Sequence, residues 1–230
     1  MRKTFLLVAA LCAPLAFAQD AVALKRIPKE GESAKYTLKV DTELGGMKIK
    51  FSAKVVEKVT KVNPDGTFVV SSEQHDIVLN VDGNDTAAPA EVGGAVTTTY
   101  RTDGTVSDMQ GDQVDADGYR MSNIQVVVWP KDPVKVGSKW ESDIKADKDK
   151  GTVDVHTTYE VLASEKVGTH DCFKVAYDAA EKGSAAPAES KGTVWIDVTN
   201  GQIVKGEMEW TNAPIAKQMI SGKVTLELND

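Results

Sequence analysis

Met47-Lys48-Ile49-Lys50-Phe51-Ser52-Ala53-Lys54-Val55 alternates apolar and polar side chains without interruption, the period of a β-strand with one buried and one wetted face. Just upstream, Tyr36, Leu38, Val40 and Leu44 alternate with Lys35, Lys39, Asp41 and Glu43, and Gly45-Gly46 separates the two runs. The pair reads as an antiparallel hairpin. The doublet Val55-Val56 breaks the alternation and predicts a β-bulge or sharp bend there. Asn63-Pro64-Asp65-Gly66 is a turn by residue chemistry. Beyond it Phe68 and Val70 hold one parity and Ile77, Leu79 and Val81 the other, so a phase change is expected between them, with His75 partly buried inside it.

The same style returns later in the chain. Val153, Val155, Thr157, Tyr159 and Val161 form one run, Phe173, Val175 and Tyr177 a second, and Val194, Ile196 and Val198 a third. Two last strands carry Val204, Met208 and Trp210, then Val224, Leu226 and Leu228. Four features recur in the same order in both halves. Gly31 to Lys35-Tyr36 matches Gly137 to Lys139-Trp140; Ile49, Phe51, Ala53 and Val55 match Val153, Val155, Thr157 and Tyr159; Ala87 to Glu91 recurs letter for letter as Ala185 to Glu189; and Thr102 to Val106 is echoed by Thr199 to Ile203. Ordered self-similarity of this kind predicts a repeated unit. The expected fold is mainly β: a large curved antiparallel sheet, half-barrel or open barrel, built from a duplicated meander in a single domain over 19–230. Copy one covers about 31–108, a connector 109–136, copy two about 137–211, and a final strand 222–228. The connector holds the one predicted helix, Asp117 to about Val127, capped by Asp117, turning Tyr119, Ile124 and Val127 or Val128 inward and ended by Trp129-Pro130. Thr86 to Gly94 and Glu181 to Lys191 read as long hairpin loops.

Arg2-Lys3, the apolar run Phe5 to Leu15 and Ala16-Phe17-Ala18 compose a signal peptide over 1–18. The run is too short for a membrane span, and no other stretch is long enough to be transmembrane. Cleavage would take two cations and no acid from the chain, carrying the formal charge from −7 to −9. That balance argues against nucleic acid as a partner. It would also leave Cys172 as the one cysteine, so no internal disulfide could form. The expected location is the periplasm or the extracellular space, and the expected state a monomer.

Chemistry is sparse. His75, His156 and His170 do not stand at metal-ligand spacing; Asp82-Gly83-Asn84-Asp85 and Asp112 to Gly118 have the composition of calcium loops, but the second lacks the acid at its first loop position and has Ile124 where the bidentate glutamate belongs, and both read as turns or helix caps. Asn84-Asp85-Thr86 is a formal glycosylation sequon, discounted behind a bacterial signal. No metal or cofactor is expected. His170 and Cys172 share a strand face, which admits a thiol-dependent enzyme as a remote alternative. No catalytic residue is assigned, and the chain reads as non-enzymatic.

Trp129-Pro130-Lys131-Asp132-Pro133-Val134-Lys135-Val136-Gly137-Ser138-Lys139-Trp140 resembles a pattern of exported bacterial proteins, in which an aromatic-Pro segment and Pro-Val-x-Val-Gly-x-x-Trp lead into the second half of a curved sheet. The whole is similar to the unclosed β-barrels of the LolA/LolB type of lipoprotein carriers. That resemblance implies a sheet wrapped around a helix and an apolar cavity. Such a concave face would suit a lipid or other hydrophobic ligand, with Phe51, Tyr119, Ile124, Trp140, Tyr159, Trp195 and Trp210 as candidate lining. The alternative partner is an envelope protein held at sheet edges or loops.

Overall fold

In a computed structural model, which describes residues 21–86, 88, 93–112, 114–215 and 217–229, the alternating runs become strands of one antiparallel sheet. The signal segment 1–18 and most of the Ala87 to Glu91 repeat lie outside those residues. The first half contributes β1 (Ser33–Leu44), β2 (Met47–Val62), β3 (Phe68–Val81), β4 (Asn84–Thr86), β5 (Val96–Tyr100) and β6 (Val106–Gln110), and α1 (Ala116–Gln125) follows. The second half contributes β7 (Lys139–Ile144), β8 (Val155–Val167), β9 (His170–Glu181), β10 (Glu189–Asp197), β11 (Ile203–Ile215) and β12 (Gln218–Leu228). Their order across the sheet is β6-β5-β3-β2-β1-β12-β11-β10-β9-β8-β7, with β4 paired to β3. The chain therefore starts in the middle, meanders to one edge, crosses under α1 to the other edge and meanders back.

That crossing curls the sheet. Eleven strands side by side would cover about 50 Å, whereas a ten-residue helix is only about 15 Å long. Yet α1 packs against β6 at one edge and β8 beside the other. Lys150 in the β7–β8 loop donates from Nζ to the Ser107 carbonyl on β6 at 2.5 Å. No ladder joins β6 to β7, and the sheet is not closed into a barrel.

The concave face holds the main core: Val155, Tyr159, Val161, Phe173, Val175, Tyr177, Val194 and Ile196 from the second half, with Leu24, Ile124, Val127 and Val134 above them. Arg120 locks α1 down through two 2.7 Å bonds to the Glu181 carboxylate, whose side chain is 0% exposed. A smaller cluster, Val59, Phe68 and Val70, serves the first half.

Four local expectations need correcting. The β2 bulges fall at Ser52/Lys54 and Val59/Lys61, flanking Val55-Val56. The first comes from the β3 side, where Asp76 takes φ 50° and Asp76-Ile77 stand opposite Ala53. His75, next to that bulge, is exposed and lies 3.5 Å from Glu73. Asp115 caps α1, accepting from the Gly118 N–H at 3.1 Å, and the helix stops at Gln125 because the β-branched Val126-Val127-Val128 favours extended backbone.

The second half repeats the turns and bulges of the first. Gly31 N–H bonds Val59 O at 2.8 Å, and Gly137 N–H bonds Val161 O at 2.8 Å. Bulges at Val59/Lys61 and Thr99/Tyr100 have counterparts at Val161/Ala163 and Trp195/Ile196. The straps leading into each half also correspond. Trp129 N–H bonds Asp103 O at 2.8 Å in the β5–β6 turn, and Ile27 N–H bonds Asn200 O at 2.7 Å in the β10–β11 turn. These ladders shift the sequence matching by two residues: Ala34, not Tyr36, stands where Trp140 stands, and Glu57, not Val55, where Tyr159 stands, since Ala34 pairs Glu57 as Trp140 pairs Tyr159. A slip of two keeps every side chain on its face, so alternation cannot detect it.

Candidate ligand-binding cavity

In the second half, the Trp140–Tyr159 pair fills the concave face. The rings stack at 4.7 Å and 7°, Trp140 Nε1 donates to Val128 O at 2.8 Å, and Tyr159 Oη accepts from Val128 N–H at 3.1 Å. The strap over them is thereby fastened. In the first half the same two places carry Ala34 and Glu57, and the space beneath the strap stays open. A cavity of about 280 Å³ results.

Its floor is Tyr36, Val59, Val70 and the stacked pair Phe68–Tyr100, whose ring centroids are 5.1 Å apart. Val194, Met208 and Leu226 wall it from the central strands, and Val126, Val127 and Trp129 roof it with the end of α1. Two glycines let the straps descend. A Cβ on Gly104 would sit 2.2 Å from Val127 O, and one on Gly201 2.2 Å from Lys25 O, each at positive φ.

The charged side chains lining the cavity are Arg26, Glu32 and Glu57. Arg26 is committed elsewhere: it pairs with Glu32 at 2.8 Å and donates to Asn200 O at 3.2 Å. Glu57 is different. It lies on the inward parity of β2 with Val55 and Val59, is half-buried, and its carboxylate accepts no hydrogen bond from any described residue. Loss of water raises its pKa above the ordinary carboxylate value, against the opposing pull of the Arg26 charge. Burial, reinforced by the Glu57 charge, likewise raises the Tyr36 and Tyr100 phenols well above their usual range.

None of the seven sequence candidates lines this cavity. Ile124 is 1% exposed in the main core, and Trp140 and Tyr159 hold the strap. Tyr119 Oη accepts from Met109 N–H at 2.9 Å and fixes α1 to β6. Phe51 is half-buried nearer the β1–β2 turn, and Trp210 packs with Ala213 and Val224. Trp195 is on the opposite face of the sheet, against Cys172 and Val204, between Lys174 and Lys205 at 4.8 and 4.7 Å from its ring. Most of those side chains are consumed by the core and the strap contacts, and the cavity lies where Ala34 and Glu57 stand in place of a Trp–Tyr pair, over the aromatic floor of Tyr36, Phe68 and Tyr100. Glu57 was readable from parity as an acid on an apolar face; Ala34 carries no such signal.

On that opposite face Cys172 is fully buried and its thiol is pushed up to about 11, by burial and then by the Asp197 and Asp171 charges. Little thiolate exists at neutral pH. His170 directs Nδ1 at Asp197, 2.7 Å away. Among the described residues no three His, Cys, Asp or Glu side chains are placed to hold a metal ion, and no helix is long and apolar enough to cross a membrane.

No protein-family model matches the chain, and no curated protein matches it significantly. Solved structures do. A chain of lipovitellin, studied for its lipid–protein interactions, superposes with a TM-score of 0.52 at 12% identity over 88% of this chain and 25% of its own. This chain thus spans about a quarter of that protein, and the likeness concerns the fold. An exported protein of YmcC-like fold from Bacteroides fragilis matches at 16% identity and a TM-score of 0.38, covering 92% of this chain and 100% of its own. A lipoprotein from Parabacteroides distasonis matches at 15% identity and a TM-score of 0.34, with the same coverage.

Proposed function

We propose that this is an exported, non-enzymatic protein that binds a hydrophobic molecule in the cavity under its strap. The observation that carries the reading is the replacement of a stacked Trp–Tyr pair by Ala34 and Glu57, which leaves a largely apolar space of about 280 Å³ with a few polar groups in its wall. That is near the lower end of small-molecule pockets, about 300–1,000 Å³, and fits a compact ligand or one end of an acyl chain. Lipovitellin, of similar fold, is a protein described by its lipid interactions. The shared turns, bulges and straps support a further part of the proposal: the halves are copies of one meander, of which the second has kept a filled face and the first a hollow one.

The test is mass spectrometry of small molecules retained by the native protein purified from its own envelope, beside Ala34→Trp. A reproducible hydrophobic ligand on the wild type, lost from Ala34→Trp, is expected. Retention of the same ligand by the filled variant would sink the reading.

A further inference from the structure

Polar groups inside an apolar cavity set what it accepts, because an unpaired buried acceptor penalises every occupant that cannot satisfy it. Inside this cavity, Tyr36 Oη receives a long 3.4 Å contact from Gln202 Nε2, Arg26 is held by Glu32 and two backbone carbonyls, and Glu57 is the charged group whose acceptor capacity no described residue uses, while the buried Trp129 Nε1 in the roof is a donor with no partner among them. The charged lining, one arginine against two glutamates, is net negative. An anionic head would bring a third negative charge into low dielectric beside Glu57.

Resting on the cavity being a binding site, we infer that Glu57 selects the ligand: an apolar molecule with a hydrogen-bond-donating head, an amine or a hydroxyl, and not a carboxylate. Ala34 admits the body of the ligand, and Glu57, directly across the ladder, meets its head. An ammonium head gains a charge-assisted bond, and a hydroxyl a single donor bond. The same choice explains the place of the acid. On β8 the corresponding position is Tyr159, whose hydroxyl serves the strap; Glu57 has no such partner among the described residues.

The discriminating experiment uses octylamine, octanol and octanoate on the full protein, with affinities from calorimetry. Octylamine and octanol should bind at least about tenfold more tightly than octanoate, a difference worth one good hydrogen bond. Glu57→Gln should bring the three within about threefold of one another. A pH series on the wild type guards against a variant that folds poorly. Octylamine stays cationic throughout, and Arg26, Glu32, Tyr36 and Tyr100 are the other titratable groups around the site. Its affinity should fall as acid protonates Glu57, while that of octanol changes little. Equal binding of all three by the wild type, an unchanged ratio in Glu57→Gln or a flat octylamine profile overturns the role of Glu57 and leaves the cavity a binding site. Binding by Ala34→Trp equal to the wild type, or no binding of any probe, overturns both.

Discussion

Glu57 costs the fold something, and the sign of that cost can be worked out. Its folded pKa is raised, first by loss of water, so between its ordinary and its folded value the native state holds the proton more tightly than the unfolded chain. Stability then falls as pH rises through that window, and the full penalty is present once the carboxyl is ionised in both states. Glu57→Gln removes the titration without changing the shape of the side chain. Thermal melts should show the variant a few degrees more stable at neutral pH, with the gap closing below the ordinary carboxylate range. A variant less stable than the wild type at neutral pH would mean that the carboxylate has a structural partner after all. Cys172 gives a contrasting case. Burial and neighbouring acids push its thiol up to about 11, so alkylation of the native protein at neutral pH should be far slower than that of a free thiol. Fast labelling would revive a thiol-dependent activity.

At the scale of the element, the straps decide whether the cavity is covered. Each is held by one backbone bond to a turn of the other half and by a glycine that allows close approach, and the first also by the Arg26–Glu32 pair. Gly201→Ala sets a Cβ 2.2 Å from Lys25 O at φ +72°, a clash and a strained backbone together costing about 1–3 kcal/mol. The strap carrying Lys25 and Arg26, which borders the cavity through Arg26, should loosen, and limited tryptic cleavage after Lys25 and Arg26 should quicken while the sheet remains intact. Unchanged cleavage would show that the glycine is not what holds the strap. How far these elements could be read beforehand follows from what alternation records. Strand parity placed Ala53 and Val55 of β2 and Phe173, Val175 and Tyr177 of β9 on the buried face, and the turns at Gly45-Gly46 and Asn63 to Gly66 were legible from residue type. Pairing register was not, because a slip of two residues leaves parity intact. With it went the correspondence of Trp140 to Ala34, and so the one comparison that reveals the hollow. Aromatic type alone therefore points to Trp140, Tyr159 and Trp210, side chains that are already packed.

The molecule as a whole is lopsided. Its main core joins β8, β9 and β10 to α1 and the second strap, with Phe173, Val175 and Ile196 fully buried. The cluster Val59, Phe68 and Val70 on the other side is small and borders the cavity. Lys150 reaches across to Ser107, but no ladder ties the two edges, so opening one side does not require breaking the other. Local opening free energy follows buried apolar contact, and hydrogen exchange should therefore divide the sheet. Amides of β8 and β9 should exchange only through global unfolding. Those of β3, β5 and β6 should exchange through a cheaper opening of the first half. A bound ligand stabilises only the states in which its site exists, so saturating octylamine should slow exchange on β1, β2 and β5 and leave the cheapest openings of the second half unchanged. Protection raised uniformly along the chain would show instead that the twelve strands open as one unit, with the hollow coupled to the filled half rather than free to breathe beside it.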